Sequence, residues 1–318
     1  MRPCRASLVV GTIGLCLSGA AAGETETDAL ARAKAANSRG DYGAAVGIYQ
    51  DLGKQGRPAG SRMLGLMYWA GLGVTKDHAK ACALYVTAAG AADGTATELL
   101  GDCYFHGDGV GQDYAKSAEL YAKATSEGVP TAYCALGNQY LDGLGVKRDE
   151  AKAAELCRKG AELGIADAET DLGQMYLKGR GVSLSFSDSA KWFQKAADQG
   201  QANAAYYLGT QYWNGDGVPR DHDKAGTLYL SAAMHGHNRA PARLVIYYFS
   251  AGVVPAEHRI VQPLALKAVY WAAVTARTDP DQSDREESAK LANLILGVAP
   301  DLKSQADALI ASRHYPPD

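Results

Sequence analysis

The chain has 318 residues, 47% of them apolar, and a formal net charge of −3. That apolar fraction can fill a continuous core, so disorder is not favoured over most of the length. No basic stripe exists, and nucleic-acid binding is excluded as an expectation, because it needs clustered Lys and Arg to neutralise phosphates.

The N-terminus reads as a leader. Arg2 and Arg5 precede an apolar run from Ala6 to Leu17, Ser18-Gly19 breaks it, and Ala20-Ala21-Ala22 follows. A positive start, a short apolar segment and small residues at the exit describe a secretory signal peptide over residues 1–22, cleaved after Ala22. The run is too short for an ordinary membrane-spanning helix, although an uncleaved anchor is the alternative. A lipoprotein is disfavoured, because Leu15 precedes Cys16 where lipid attachment wants a small residue. Loss of the two arginines takes the charge to −5. No other segment is apolar and long enough to span a membrane, so the mature chain is expected to be periplasmic or secreted, in an oxidising compartment.

Residues 23–58 read as a degenerate helical repeat, with Ala45 and Tyr49 in register with Ala81 and Tyr85, 36 residues on. Residues 59–238 then hold five units of 36. Leu-Gly pairs recur at Leu64, Leu100, Leu136, Leu172 and Leu208, and a Gly-x-Gly-Val element follows each, starting at Gly71, Gly107, Gly143, Gly179 and Gly215. An Asp follows at 77, 113, 149 and 221, with Ser185 in the fourth unit, and a Lys at 80, 116, 152 and 224, with Asp188 in the fourth.

Each feature has a physical role. Ala96, Leu100 and Tyr104 recur at i, i+4 and i+8, one stripe of a helix. Gly-x-Gly supplies a helix stop and a turn with positive φ. Asp113 is placed to cap the second helix, where Ala118, Tyr121 and Ala124 continue a buried stripe. Residues 239–280 form a degenerate sixth unit with an insertion at 255–263, and residues 281–318 two capping helices and a loose tail.

This pattern closely resembles the Sel1-like repeat, a relative of the tetratricopeptide repeat; Lys191-Trp192-Phe193-Gln194-Lys195-Ala196-Ala197 matches its second helix. The resemblance implies an all-α, right-handed α-solenoid of helical hairpins. It implies a binding scaffold, periplasmic or secreted, that takes a protein or peptide on its concave face, and no enzyme. It also brings two alternatives: an envelope enzyme of the β-lactamase or peptidoglycan-related type, and a periplasmic regulator of a membrane signalling complex. The first would need a serine activated by a lysine one helical turn away, and no Ser-x-x-Lys occurs; Ser189 and Ser288 have Lys two residues on, which points elsewhere.

In related repeats the first helix of each unit lines the concave side of the stack. Two ladders then fall opposite the core stripe. One is Leu66, Asp102, Asn138, Gln174 and Thr210; the other is Arg62, Glu98, Cys134, Thr170 and Tyr206. Their polar members, with Asp171 and Tyr207 alongside, are the candidate groove. Trp69, Phe105, Leu141, Leu177 and Trp213 form a further ladder, expected to pack under the Gly loops; the alternative is that Trp69 and Trp213 edge a peptide site.

Four cysteines remain after the leader. In an antiparallel hairpin, residues equidistant from the turn lie at equal height. Cys134 and Cys157 are symmetric about the Gly143–Val146 turn, and Cys82 and Cys103 about the Ala91–Gly94 turn, so the bonds expected are Cys82–Cys103 and Cys134–Cys157. This symmetry fixes height and leaves rotation about the helix open, and four packed thiols are the alternative. Each bond would close a loop of about twenty residues, a contribution on the order of 3 kcal/mol. No cofactor and no metal site are expected, since no C-x-x-C and no helix-spaced Cys/His pair occurs. His235-x-His237 is read as structural.

Overall fold

A computed structural model describes residues 25–254, 259–260 and 262–312. The expected leader and its cleavage site, and the tail at 314–318, lie outside the described residues. The described chain holds sixteen helices and one two-stranded antiparallel pair, β1 (Val253–Val254) with β2 (Arg259–Ile260). That pair lies at the expected insertion, of which 255–258 and 261 lie outside the described residues. The fold is an all-α solenoid of helical hairpins.

The helices fall into two compact units, divided between Ala91 and Ala92. The first holds α1 (Glu26–Ser38), α2 (Tyr42–Lys54), α3 (Pro58–Ala70) and α4 (His78–Gly90), each packed on the next in chain order. The second opens with α5 (Gly94–His106), α6 (Tyr114–Ser126), α7 (Pro130–Asp142), α8 (Glu150–Glu162), α9 (Ala166–Lys178), α10 (Phe186–Asp198), α11 (Ala202–Asn214) and α12 (His222–Met234). It closes with α13 (Ala240–Gly252), α14 (Gln262–Thr278), α15 (Gln282–Val298) and α16 (Leu302–Ser312).

The recurring residues explain why the five central hairpins share one geometry. The first Gly of each loop ends the first helix in the left-handed region, as Gly107 does at φ 76° while donating its N–H to Cys103. The loop closes when the capping residue donates its backbone N–H to a tyrosine carbonyl, Asp113 to Tyr104 and Asp149 to Tyr140, both at 2.9 Å. The same Asp then accepts the N–H three residues on, Lys116 and Lys152 respectively. Ser185 does this in the fourth unit. An N-cap of this kind contributes about 1 kcal/mol.

The Leu-Gly glycine is a seat for a ring. A Cβ at Gly101 would lie 2.7 Å from Tyr121, at Gly173 2.7 Å from Phe193, and at Gly209 3.0 Å from Tyr229. The bare backbone therefore lets the second helix bury its aromatic residue against the first. In the third unit the position of the ring is held by Cys157, whose Sγ would lie 2.9 Å from a Cβ at Gly137.

The repeated Lys has a matching role. Lys80, Lys116, Lys152 and Lys224 lie over the rings of Tyr68, Tyr104, Tyr140 and Tyr212 at 4.0–5.1 Å. A cation over a ring at an exposed site contributes about 0.5–1 kcal/mol. The fourth unit has Asp188 in that place, and its Tyr176 is served instead by Arg158 of α8, whose Nη2 donates to the hydroxyl at 3.0 Å.

Within the second unit, successive repeats join through the same loops. Gly217 lies against the backbone of Phe186 and Gly145 against that of Tyr114, with no room for a side chain. Beside them, the buried amides of Gln211 and Gln139 donate to the carbonyls of Phe186 and Tyr114. The loop of one repeat is thereby fixed to the start of the preceding second helix.

Candidate functional site

In the second unit, first helices also touch one another: α7 meets α9, and α9 meets α11. This is what an inner face lined by first helices requires, and it closes over part of the surface read as open from sequence. Thr170 is 3% exposed, and its hydroxyl donates to the Ala166 carbonyl at 2.8 Å. Tyr206 is 8% exposed, with His237 stacked on its ring at 4.1 Å and Arg243 Nε donating to its hydroxyl at 3.5 Å. The expectation that these two line an open groove is corrected: both are buried.

The other candidates of this unit are half-buried. Asp102 accepts the Tyr121 hydroxyl at 2.6 Å, and Thr210 accepts the Tyr229 hydroxyl at 3.3 Å. Asn138 donates to Asp171 at 2.9 Å. Gln174 borders a cavity of about 50 Å³ with Asn138, Asp171 and Met175. Tyr207 stacks on Phe193 at 5.2 Å. Glu98 is held by Thr131. Arg62, in the first unit, is half-buried beside Met63, with Nη1 3.6 Å from its sulfur.

Burial governs the electrostatics of this face. It lifts the carboxyls of Glu98, Asp102 and Asp171 above their usual range, and the hydrogen bonds from Thr131, Tyr121 and Asn138 only partly offset that. Burial, aided by the positive charge of Arg239, lowers His237 to about 4. His237 is therefore a neutral packing group at neutral pH, while His235 is exposed.

The open stripe is wider than the candidate ladders. Each first helix exposes a residue one turn before and one turn after them: Thr131 and Asp142 on α7, Asp167 and Lys178 on α9, Asn203 and Asn214 on α11. With Asn138, Gln174 and Thr210 between them, they make a polar row at i, i+7 and i+11. The signal was in the sequence as a second 3.6-residue period, opposite the Ala-Leu-Tyr stripe.

The tryptophans belong to the hairpins. Trp69 stacks on His78 at 4.2 Å and Trp213 on His222 at 4.4 Å, in each case the first residue of the second helix. Ser189 and Ser288 are buried at 0% and 2% exposure. Cys134 and Cys157 form a disulfide between α7 and α8, and Cys82 and Cys103 are each disulfide-bonded. No described helix is long and apolar enough to cross a membrane.

Comparison with known proteins gives a concordant picture. The Sel1 repeat family model matches residues 58–93, 95–129, 130–165, 166–201 and 202–237, more than half of the chain. A Sel1 repeat protein from Oxalobacter formigenes is similar in structure, with 23% identity and a TM-score of 0.62 over 83% of this chain and 96% of that one. The protective antigen c5321 of uropathogenic Escherichia coli strains, which displays the SLR fold, has 25% identity and a TM-score of 0.61; the match covers 89% of this chain and 65% of the antigen. A search of curated proteins gave no match.

Proposed function

Because the chain belongs to the Sel1 repeat family, whose repeats generally serve as non-enzymatic scaffolds for protein–protein interaction, we propose that it is an exported adaptor. It holds an extended protein segment along the first-helix face of its second unit. The observation that carries this reading is the polar row on α7, α9 and α11. Its residues differ from repeat to repeat, while the Leu-Gly and loop glycines beneath them do not. A constant frame with a changing surface is what sequence-selective binding by a repeat protein needs. Asn138, Gln174, Tyr207 and Thr210 are the partly exposed candidates central to that surface, flanked by the Thr131, Asp167 and Asn203 turn.

Export is the second half of the proposal. It rests on the leader pattern at residues 1–22 and is supported by the disulfides, which persist in oxidising compartments. The intact mass of the mature chain tests it: a product beginning at Gly23 supports export, and a chain retaining residues 1–22 refutes cleavage.

Binding is tested by cross-linking in intact cells and identifying the captured protein by mass spectrometry. Replacing both Gln174 and Tyr207 by Ala is expected to lower capture at least about tenfold, the size of a two-residue hot spot. Unchanged capture would place the interaction elsewhere.

A further inference from the structure

We propose that, once its cystine is reduced, the α7/α8 hairpin together with α9 forms a site for a zinc-type divalent cation, with Cys134, Cys157 and Asp171 as ligands. The three side chains come from different elements, yet one ligand atom from each lies within 4.8 Å of the others. Asp171 Oδ2 is 3.4 Å from Cys134 Sγ. In a tetrahedral site with Zn–S about 2.3 Å and Zn–O about 2.0 Å, the sulfur–oxygen edge is about 3.5 Å and the sulfur–sulfur edge about 3.8 Å. The carboxylate is thus already at ligand spacing from Cys134; once the bond is broken the two sulfurs separate, and Cys157 Sγ, within 4.8 Å of the carboxylate, takes up the same spacing.

One further feature fits the site. Asn138 Nδ2 donates to Asp171 Oδ2 at 2.9 Å and orients the carboxylate, as outer partners of metal ligands do. Two thiolates and a carboxylate are a donor set for zinc and its tetrahedral analogues, and not for calcium or magnesium, which take oxygen.

The chemistry balances with a phosphine as reductant: the cystine, one phosphine and one water give two thiols and one phosphine oxide. The cation then displaces the two thiol protons to solvent. The bonded and metal-loaded states exclude each other, because a disulfide sulfur carries no anionic charge to offer.

The test uses the chain from Gly23 onward, with Cys82→Ala and Cys103→Ala, so that one cystine remains, reduced with a phosphine and titrated with Co²⁺. The same titration of the chain with all four cysteines guards against misfolding of the variant. One Co²⁺ per reduced chain is expected, with thiolate-to-cobalt charge-transfer and tetrahedral d–d absorption, displaced by Zn²⁺ and absent in the oxidised chain. Asp171→Asn is expected to weaken binding at least about tenfold, and Cys134→Ser to remove the charge-transfer band. The proposal is overturned if oxidised and reduced chains bind alike, if Asp171→Asn binds within twofold of its parent, or if reduction abolishes the helical circular dichroism.

Discussion

Two neighbouring hairpins of the second unit solve one packing problem differently. In α5/α6, Tyr121 fills the seat at Gly101, and its hydroxyl is bonded to Asp102. In α7/α8, Cys157 takes the seat at Gly137 and is bonded covalently to Cys134. The turns leading into them differ too: Gly128 has φ 82°, whereas Ala92 holds φ 60° with a side chain that disfavours it. The repeat therefore fixes a place for a residue and a distance between helices. What fills the place, ring or sulfur, is interchangeable so long as the helices are held together.

That comparison can be broken most strongly at the ring. Tyr121→Ala empties a seat 3% exposed and is expected to cost about 3–5 kcal/mol, read as a lower urea midpoint. Replacing Cys134 and Cys157 together by Ala removes the covalent solution and is expected to cost about 2–4 kcal/mol by the same measurement. Tyr121→Phe keeps the ring but leaves Asp102 without its donor, an expected loss of about 2 kcal/mol. Ala92→Gly relieves the left-handed strain of about 1–2 kcal/mol against a backbone-entropy cost of about 0.5–1 kcal/mol, so a small net gain is expected and the thermal midpoint should rise.

The smallest effect is a pH dependence. The folded-state pKa of Asp102 lies above its ordinary 3.8, so its contribution to stability is fully present below 3.8 and lost as pH rises through the folded value. The difference in urea midpoint between the parent and Asp102→Asn is expected to follow that curve. A flat difference would show that burial does not raise this carboxyl in the folded hairpin.

The hairpins were legible in the sequence because their determinants repeat every 36 residues and act locally: loop glycines, the Asp cap and the Leu-Gly seat. Contacts between neighbouring first helices were not legible. Tyr206 meets Arg243 and Cys134 meets Asp171, each pair 37 residues apart. Those offsets belong to the stacking of repeats and leave no mark within one repeat. This is why Thr170 and Tyr206 read as an open face, and why the Cys134, Cys157 and Asp171 cluster, drawn from three helices, shows no ligand spacing along any one of them. The lysine ladder was visible as a pattern, but its tyrosine partners, twelve residues upstream, emerged only when the hairpin brought them together.

The most direct test of the binding face is a photo-reactive amino acid placed at Gln174 on α9, compared with the same group at the exposed Glu155 of α8. Illumination of intact cells should join the Gln174 variant to a partner protein and leave the Glu155 variant unjoined. Equal capture at both positions, or capture at Glu155 alone, would contradict the assignment of binding to the first helices.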